Sequence, residues 1–374
     1  MTQTTLRTEE IKTNKNITFP IGTALAVEQC FLKLHLENIF SKYKTRGRSL
    51  SSLLKATVTY RLTENLSISK ASDWINRPQI LKEFKLTEFD EKTLFRAFTI
   101  VGKNKEEIMF DIQDELFNRY DFEHTDINMD WTSFVLYGDK CPIGKYGYSR
   151  DHRPDKKQIT LGLVELVSPI NMPIGITTMP GNTNDQKHFK PTFSQVSRHL
   201  KNGSLIIYDK GGNSKDNNDL ILKSKMKYLT SKKLNTSDDK RIKQFRIENV
   251  KCVDPEKSIY GIKYTYPSRT DYFFFSKKLK EEQLQSSIRK TVRKFEEAKF
   301  LQECLDTGKK LPAKFRIQNE LIDMQYNYQT KLKELGEEAF SYVQKHTITG
   351  REGFFCLVSS ENLTLNQALE TYRK

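Results

Sequence analysis

Two apolar, β-branched runs that each deliver an aspartate constrain this chain more than any other feature. One reads Met129-Asp130-Trp131-Thr132-Ser133-Phe134-Val135-Leu136-Tyr137, the other Ser204-Leu205-Ile206-Ile207-Tyr208-Asp209-Lys210-Gly211-Gly212. This is strand composition, and a strand holds a side chain rigidly in place. Between and beyond them the pattern predicts strands over 127–137, 158–167 and 173–178, then a helix over 186–200. The strand 204–208, a helix over 216–225 and a strand over 226–230 follow. Runs joined by two to five residues read as hairpins. The order β-β-β-α-β-α-β therefore predicts an α/β fold, a mixed sheet with helices packed on it.

The flanks differ from this centre. Residues 1–20 are polar and without periodicity, which predicts a loose tail. Residues 21–120 read as helices, with Ala26, Cys30, Leu34 and Ile39 at mostly helical spacing and a further helix over 105–120. A short helix closed by Asn76 and Pro78 and another starting near Asp90 suit a helix-turn-helix DNA reader or an ordinary helical bundle. Residues 231–350 interrupt the sheet order with β-like pieces at 260–266 and 272–275. A long charged helical stretch follows over 280–345, with breaks expected at Gly308 and Pro312. The sheet pattern resumes at 353–358, and a final helix starts after Asn362. Four parts result: a flexible tail over 1–20, a helical domain over 21–120, an α/β domain from 121–230 with 351–374, and an insertion over 231–350.

Charge narrows the partners. The chain carries 62 Lys and Arg against 47 Asp and Glu, a net +15, and only 37% of its residues are hydrophobic. Residues 231–350 hold 25 basic and 17 acidic side chains, so more than half of the excess lies in the insertion. Basic surfaces of this kind suit nucleic acid once a motif supports that partner. No apolar run approaches a bilayer span, and the first residues lack the apolar core of a signal peptide, so a cytoplasmic protein with no membrane partner is expected. The cysteines at 30, 141, 252, 304 and 356 form no Cys-x-x-Cys pair, as in reduced thiols with neither zinc nor disulfides. Two carboxylates held on strands can share hard divalent cations, the usual protein means of cutting and joining phosphodiester bonds.

Four motifs in order carry a resemblance. Met129-Asp130-Trp131-Thr132, Gly147-Tyr148-Ser149-Arg150-Asp151-His152-Arg153-Pro154-Asp155, Gly181-Asn182-Thr183-Asn184-Asp185 and Tyr208-Asp209-Lys210-Gly211-Gly212-Asn213-Ser214 resemble prokaryotic insertion-sequence transposases of the DDE class. The similarity covers about residues 125–374, and the helical front is also similar. It implies a ribonuclease H-like mixed sheet with flanking helices, a β-rich and helical insertion and an N-terminal helical domain. It implies Asp130 and Asp209 as catalytic ligands of Mg²⁺ or Mn²⁺, and double-stranded DNA as transposon end and target. Lys145, Arg150, Arg153 and Lys210 become candidate DNA contacts, with two copies acting together as a homodimer.

The pattern of that family continues with a Tyr, a basic residue and a catalytic Glu. Here Leu369-Glu370-Thr371-Tyr372-Arg373-Lys374 matches only its opening, so the resemblance implies a third carboxylate beyond Lys374 and an impaired, truncated enzyme. Glu361 and Glu370 do not match that position. The alternative from another class is a non-catalytic binder or inhibitor at transposon ends, which would need no metal. A general nuclease without end preference is a third reading. Asp126 competes with Asp130 but lacks the following Thr. Asn182 and Asp185 read as loop and cap chemistry, Gly211-Gly212 as a turn and not a phosphate loop, His152 and His188 as surface histidines, and Trp131 with the aromatic run 272–275 as core.

Overall fold

The computed structural model describes residues 21–64, 66–310 and 339–373, and the tail over 1–20 and the expected break at Pro312 lie outside them. The chain divides into two compact units, 1–122 and 123–374.

The first unit is helical throughout its described residues: α1 Ile21–Lys33, α2 Leu36–Ser41, α3 Leu50–Thr63, α4 Ile68–Ile75, α5 Pro78–Glu83, α6 Glu91–Lys103 and α7 Lys105–Arg119. Ser49 caps α3 by accepting from the Ser52 N–H, and Asp90 caps α6 by accepting from Thr93. Ala24, Val27 and Phe31 of α1 share one buried cluster with Leu50, Leu53, Ala56 and Tyr60 of α3. The short helix closes at Asn76, its C-cap, just before Pro78, as expected; Pro78 then opens α5, where its missing N–H is an orphan in any case. The two helices read as a candidate reader pair therefore have a third between them. Asn76 spans the gap by exchanging two hydrogen bonds with the backbone of Phe89.

The second unit is built on one nine-stranded mixed sheet. Its strands are β1 Ile127–Val135, β2 Gln158–Leu166, β3 Met172–Pro180, β4 Leu205–Tyr208, β5 Lys227–Lys232, β6 Lys251–Asp254, β7 Ile259–Tyr266, β8 Arg269–Ser276 and β9 Phe354–Ser359. They lie in the order β3-β2-β1-β4-β5-β9-β8-β7-β6. The first three are antiparallel, β4 and β5 run parallel to β1, and the remainder are antiparallel. Three antiparallel strands followed by two parallel ones on the far side of β1 are the ribonuclease H-like arrangement, so the α/β expectation holds. Helix α8, Asp185–Val196, packs on β2 and β3, and helix α9, Lys215–Lys223, packs on β5. Trp131 of β1 is buried and donates its indole N–H to Thr192 of α8 at 3.1 Å, with the Phe189 ring tilted against it. Trp131 and the run Tyr272–Phe275 are core, as their composition predicts.

The strands of the insertion do not form a separate sheet. β8 pairs with β9, and β7 and β6 continue outward from it. Helix α10, Thr236–Gln244, and the 30-residue helix α11, Lys277–Asp306, complete that side. A left-handed Gly308 follows α11, where a break is expected. The join is electrostatic as well as apolar. Asp271 of β8 is fully buried and meets Arg269 at 3.0 Å, Arg241 of α10 at 3.2 Å and Lys232 of β5 at 3.6 Å. Asp238, also buried, meets Lys232 at 2.9 Å and Arg241 at 3.3 Å. Removing one partner leaves the others charged in a dry place. Asp271→Ala should therefore lower stability by about 3–5 kcal/mol in a denaturant titration, while an exposed ion pair such as Lys278–Glu282 should contribute under about 1 kcal/mol.

Candidate active site

The register of two strands sets the site. In the parallel pair β1–β4, Ile127 lies opposite Ile206 and Met129 opposite Tyr208, so the next positions, Asp130 and Asp209, fall side by side. Parallel neighbours are about 4.8 Å apart. Strand alternation turns Met129 and Trp131 into the core and leaves Asp130 on the accessible face; Asp209, just past β4, is half-buried. Each carboxylate is held through one oxygen. Asp130 Oδ1 accepts from the Trp131 N–H at 2.7 Å, and Asp209 Oδ1 accepts from the Gly211 N–H at 2.7 Å. Asp126, the competitor for Asp130, does other work: its Oδ1 accepts from the Leu205 N–H at 2.7 Å and ties the start of β4 to β1.

A third carboxylate comes in beside these two. Asn184 is the cap of α8, accepting from the Lys187 N–H, so Asp185 at the first helical position is released from the capping role assigned to it. Its Oδ2 instead accepts from Arg150 at 2.9 Å, and the same guanidinium donates to the carbonyl of Trp131. Burial raises the Asp185 carboxyl above the usual range; Arg150 opposes this, and the charges of Asp209 and Asp130 add to it. Gly211 makes the crowding possible. A Cβ there would lie 2.2 Å from Asp185 Oδ2 and 2.9 Å from Asp209 Oδ1, so the two carboxylates face each other across a position that only glycine fills. The legible signal for Asp185 is the doubled cap residue, Asn184-Asp185, in which one aspartate or asparagine is left over for another task.

The remaining candidates divide. Lys145 and Lys210 are exposed. Arg153 is engaged with Asp155 by two hydrogen bonds of 2.8 Å, which hold that carboxyl below its usual range, and its guanidinium lies over the Tyr137 ring. Arg150 is committed to Asp185. Glu361 pairs with Lys227 at 2.7 Å, and Glu370 is exposed on the closing helix Leu365–Arg373. Tyr372 of that helix is raised by burial first, is lowered by a hydrogen bond with Ser231, and feels the charges of Asp209 and Asp130. His188, expected at the surface, is fully buried; its ring nitrogens meet the hydroxyls of Thr160 at 3.2 Å and Thr177 at 2.9 Å. That corrects its role to a core link between α8 and the sheet. His152 is exposed, in a left-handed turn. Among the described residues no three His, Cys, Asp or Glu side chains are already disposed as a metal cage. The site is an aspartate pair, with a third aspartate held by arginine. Gly211→Ala should push Asp185 and Asp209 apart and weaken Mn²⁺ binding by about 10–100-fold in calorimetry, the range for a lost supporting group.

The family described as Transposase DDE domain matches residues 121–374. A solved structure of a piggyBac transposase synaptic complex with hairpin DNA is similar at 15% identity and a TM-score of 0.34, over 72% of this chain and 52% of that one. The chain thus corresponds to about half the length of that protein. No curated protein matches.

Proposed function

The chain belongs to the transposase DDE-domain family, and from that premise we propose that it cuts and joins DNA at insertion-sequence ends with Asp130 and Asp209 as ligands of Mg²⁺ or Mn²⁺. The observation that carries this reading is the register of β1 and β4, which sets two hard oxygen donors side by side. Hard oxygen ligands suit these cations. When bound, such a cation pair activates a water or a 3′-hydroxyl and stabilises charge on the leaving oxygen.

The chain's own groups do the rest. The N–H groups of Trp131 and Gly211 fix the carboxylates before DNA arrives, so little reordering is needed at the moment of reaction. Arg150 offsets the charge of Asp185, which would otherwise repel a phosphate brought to the pair. Lys210, next to Asp209, lines a cleft of about 570 Å³ that also takes in Lys233, Lys290 and Arg351. That cleft offers a path for a phosphate backbone leading away from the aspartates. The reading extends to a prokaryotic cytoplasm, to duplex ends and target as partners, and to two copies acting together, one at each end.

One observation favours a second reading, a non-catalytic binder of the same ends. Among the described residues no glutamate joins Asp130 and Asp209, since Glu361 is tied to Lys227 and Glu370 is exposed. The two readings separate on metal. With a duplex carrying the terminal repeats that bracket its coding sequence, Asp130→Ala and Asp209→Ala should each slow Mg²⁺-dependent nicking by roughly 10²–10³-fold while end binding by anisotropy persists. Metal-independent binding with no nicking by the unaltered chain would favour the binder. Lys210→Ala should weaken binding on all sequences alike and reduce the salt dependence of log K by about one phosphate's worth.

A further inference from the structure

The first unit carries an apolar face that its own core does not use. Helix α1 has two stripes. Ala24, Val27 and Phe31 are buried in the cluster shared with α3. Ile21, Leu25, Glu28 and Leu32 recur at steps of four, three and four, the spacing of a seam at which one helix meets another. Helix α3 repeats the pattern with Lys55, Val58 and Leu62 at steps of three and four. Lys55 joins the two stripes, since its Nζ meets Glu28 at 2.7 Å and Glu37 of α2 at 2.6 Å. Leu66 lies against the end of α3, where Arg61 donates to its carbonyl at 2.8 Å.

Area and charge together specify what this face takes. Ile21, Leu25, Leu32, Val58, Leu62 and Leu66 are between 39% and 66% exposed. They present on the order of 500 Å², the size of patch that marks an interaction site on a monomer. Two such faces in contact would cover on the order of 1,000 Å², the least that a specific interface buries. Around the patch, Lys33, Lys55 and Arg61 stand against Glu28, Glu37 and Glu64, so it is balanced within a chain of net +15. DNA calls for a basic face, and a protein of opposite charge calls for a face of one sign. A balanced apolar face is complementary to itself, and across it two strongly basic chains approach without repulsion.

We propose that a second copy of this chain docks here, α1 and α3 of one copy against α1 and α3 of the other about a two-fold axis. An isologous contact sets the same patch against itself and closes at two copies. Lys55, the one charged step in the α3 stripe, is already buried and matched before the copies meet. The contact gives a surface to the pairing of copies in the DNA-cutting reading, yet it forms without DNA or metal.

The test is sedimentation equilibrium of the full chain without DNA, at about 0.5 M salt, where exposed charges are screened and apolar contacts are not. The unaltered chain should be a dimer. Leu25→Asp and Leu62→Asp should each shift it to monomer with helicity by circular dichroism unchanged. Ile170→Asp, at a residue as exposed as Leu62 but in the turn between β2 and β3, should stay dimeric. Should an aspartate variant fail to fold, Leu25→Ala with Leu62→Ala preserves the helices and should raise the dimer dissociation constant about 10-fold or more. An unaltered chain still monomeric at about 100 μM would overturn the proposal, the face then being covered by its own chain or by a different protein. A dimer that the alanine pair leaves intact would overturn it too. A chain that dimerises through this face yet cuts no DNA removes the DNA-cutting reading and leaves the interface standing.

Discussion

Everything at the site depends on the parallel pairing of β1 with β4 in one register. Side chains alternate across a strand with period two, so a slip of one residue would carry Asp130 into the core and Trp131 out to solvent. The register is fixed from both ends. Asp126 accepts from the Leu205 N–H at the start of the pair, and Thr125 and Ser204 join hydroxyls beside it. At the other end Trp131 is wedged between Phe189 and the backbone of Gly212, where a Cβ would meet its ring at 2.9 Å. Large buried rings tolerate little displacement in a close-packed interior. The aspartates therefore inherit their placement from apolar neighbours and need no metal to be brought together.

That placement has an electrostatic consequence. Asp130, Asp185 and Asp209 stand close enough for the charges of the other two to oppose ionisation of Asp185. A fold tolerates such crowding only where something offsets it. Two backbone N–H groups and one guanidinium serve here, and the guanidinium of Arg150 also binds the Trp131 carbonyl, so it ties the third aspartate to the strand that carries the first. The opposite design holds at the far side of the sheet. There Asp238 and Asp271 are buried among Lys232, Arg241 and Arg269, and the charges close on themselves. The inner network joins α10 and β8 to β5. The outer group stays only partly compensated, and Asp185 carries the cost as a raised carboxyl.

The sheet was legible because its information is local. Alternating apolar runs, short turns and the helix between β3 and β4 mark themselves in composition, and the aspartates stand out by interrupting strand sequence. Ions paired across long separations leave no such mark. Asp185 and Arg150 are 35 residues apart in sequence, and Asp185 sits in a stretch where cap chemistry is a sufficient explanation. His188 was misplaced for a similar reason: a histidine in a polar-looking segment reads as surface, and the two threonines that satisfy it lie on β2 and β3. Pro78 marks the close of α4 correctly, but a proline ends helices and begins them with equal ease, so the short α5 that it opens carries no mark of its own. The insertion strands were visible as strands, but their union with β9 depends on pairing that composition does not encode.

Two clefts meet at a single peptide link. Lys210 lines the basic cleft and Gly211 a neutral one, where Arg150 and Asp185 offset each other, and Asp209 immediately precedes Lys210. A charge-lined surface alone would bind many duplexes equally, since phosphate contacts position a strand without reading it. Gly211 joins the carboxylates to the neutral cleft physically: its missing side chain lets Asp185 approach Asp209, and its bare backbone lines that cleft. Substitution there would disturb the carboxylates and the neutral cleft together.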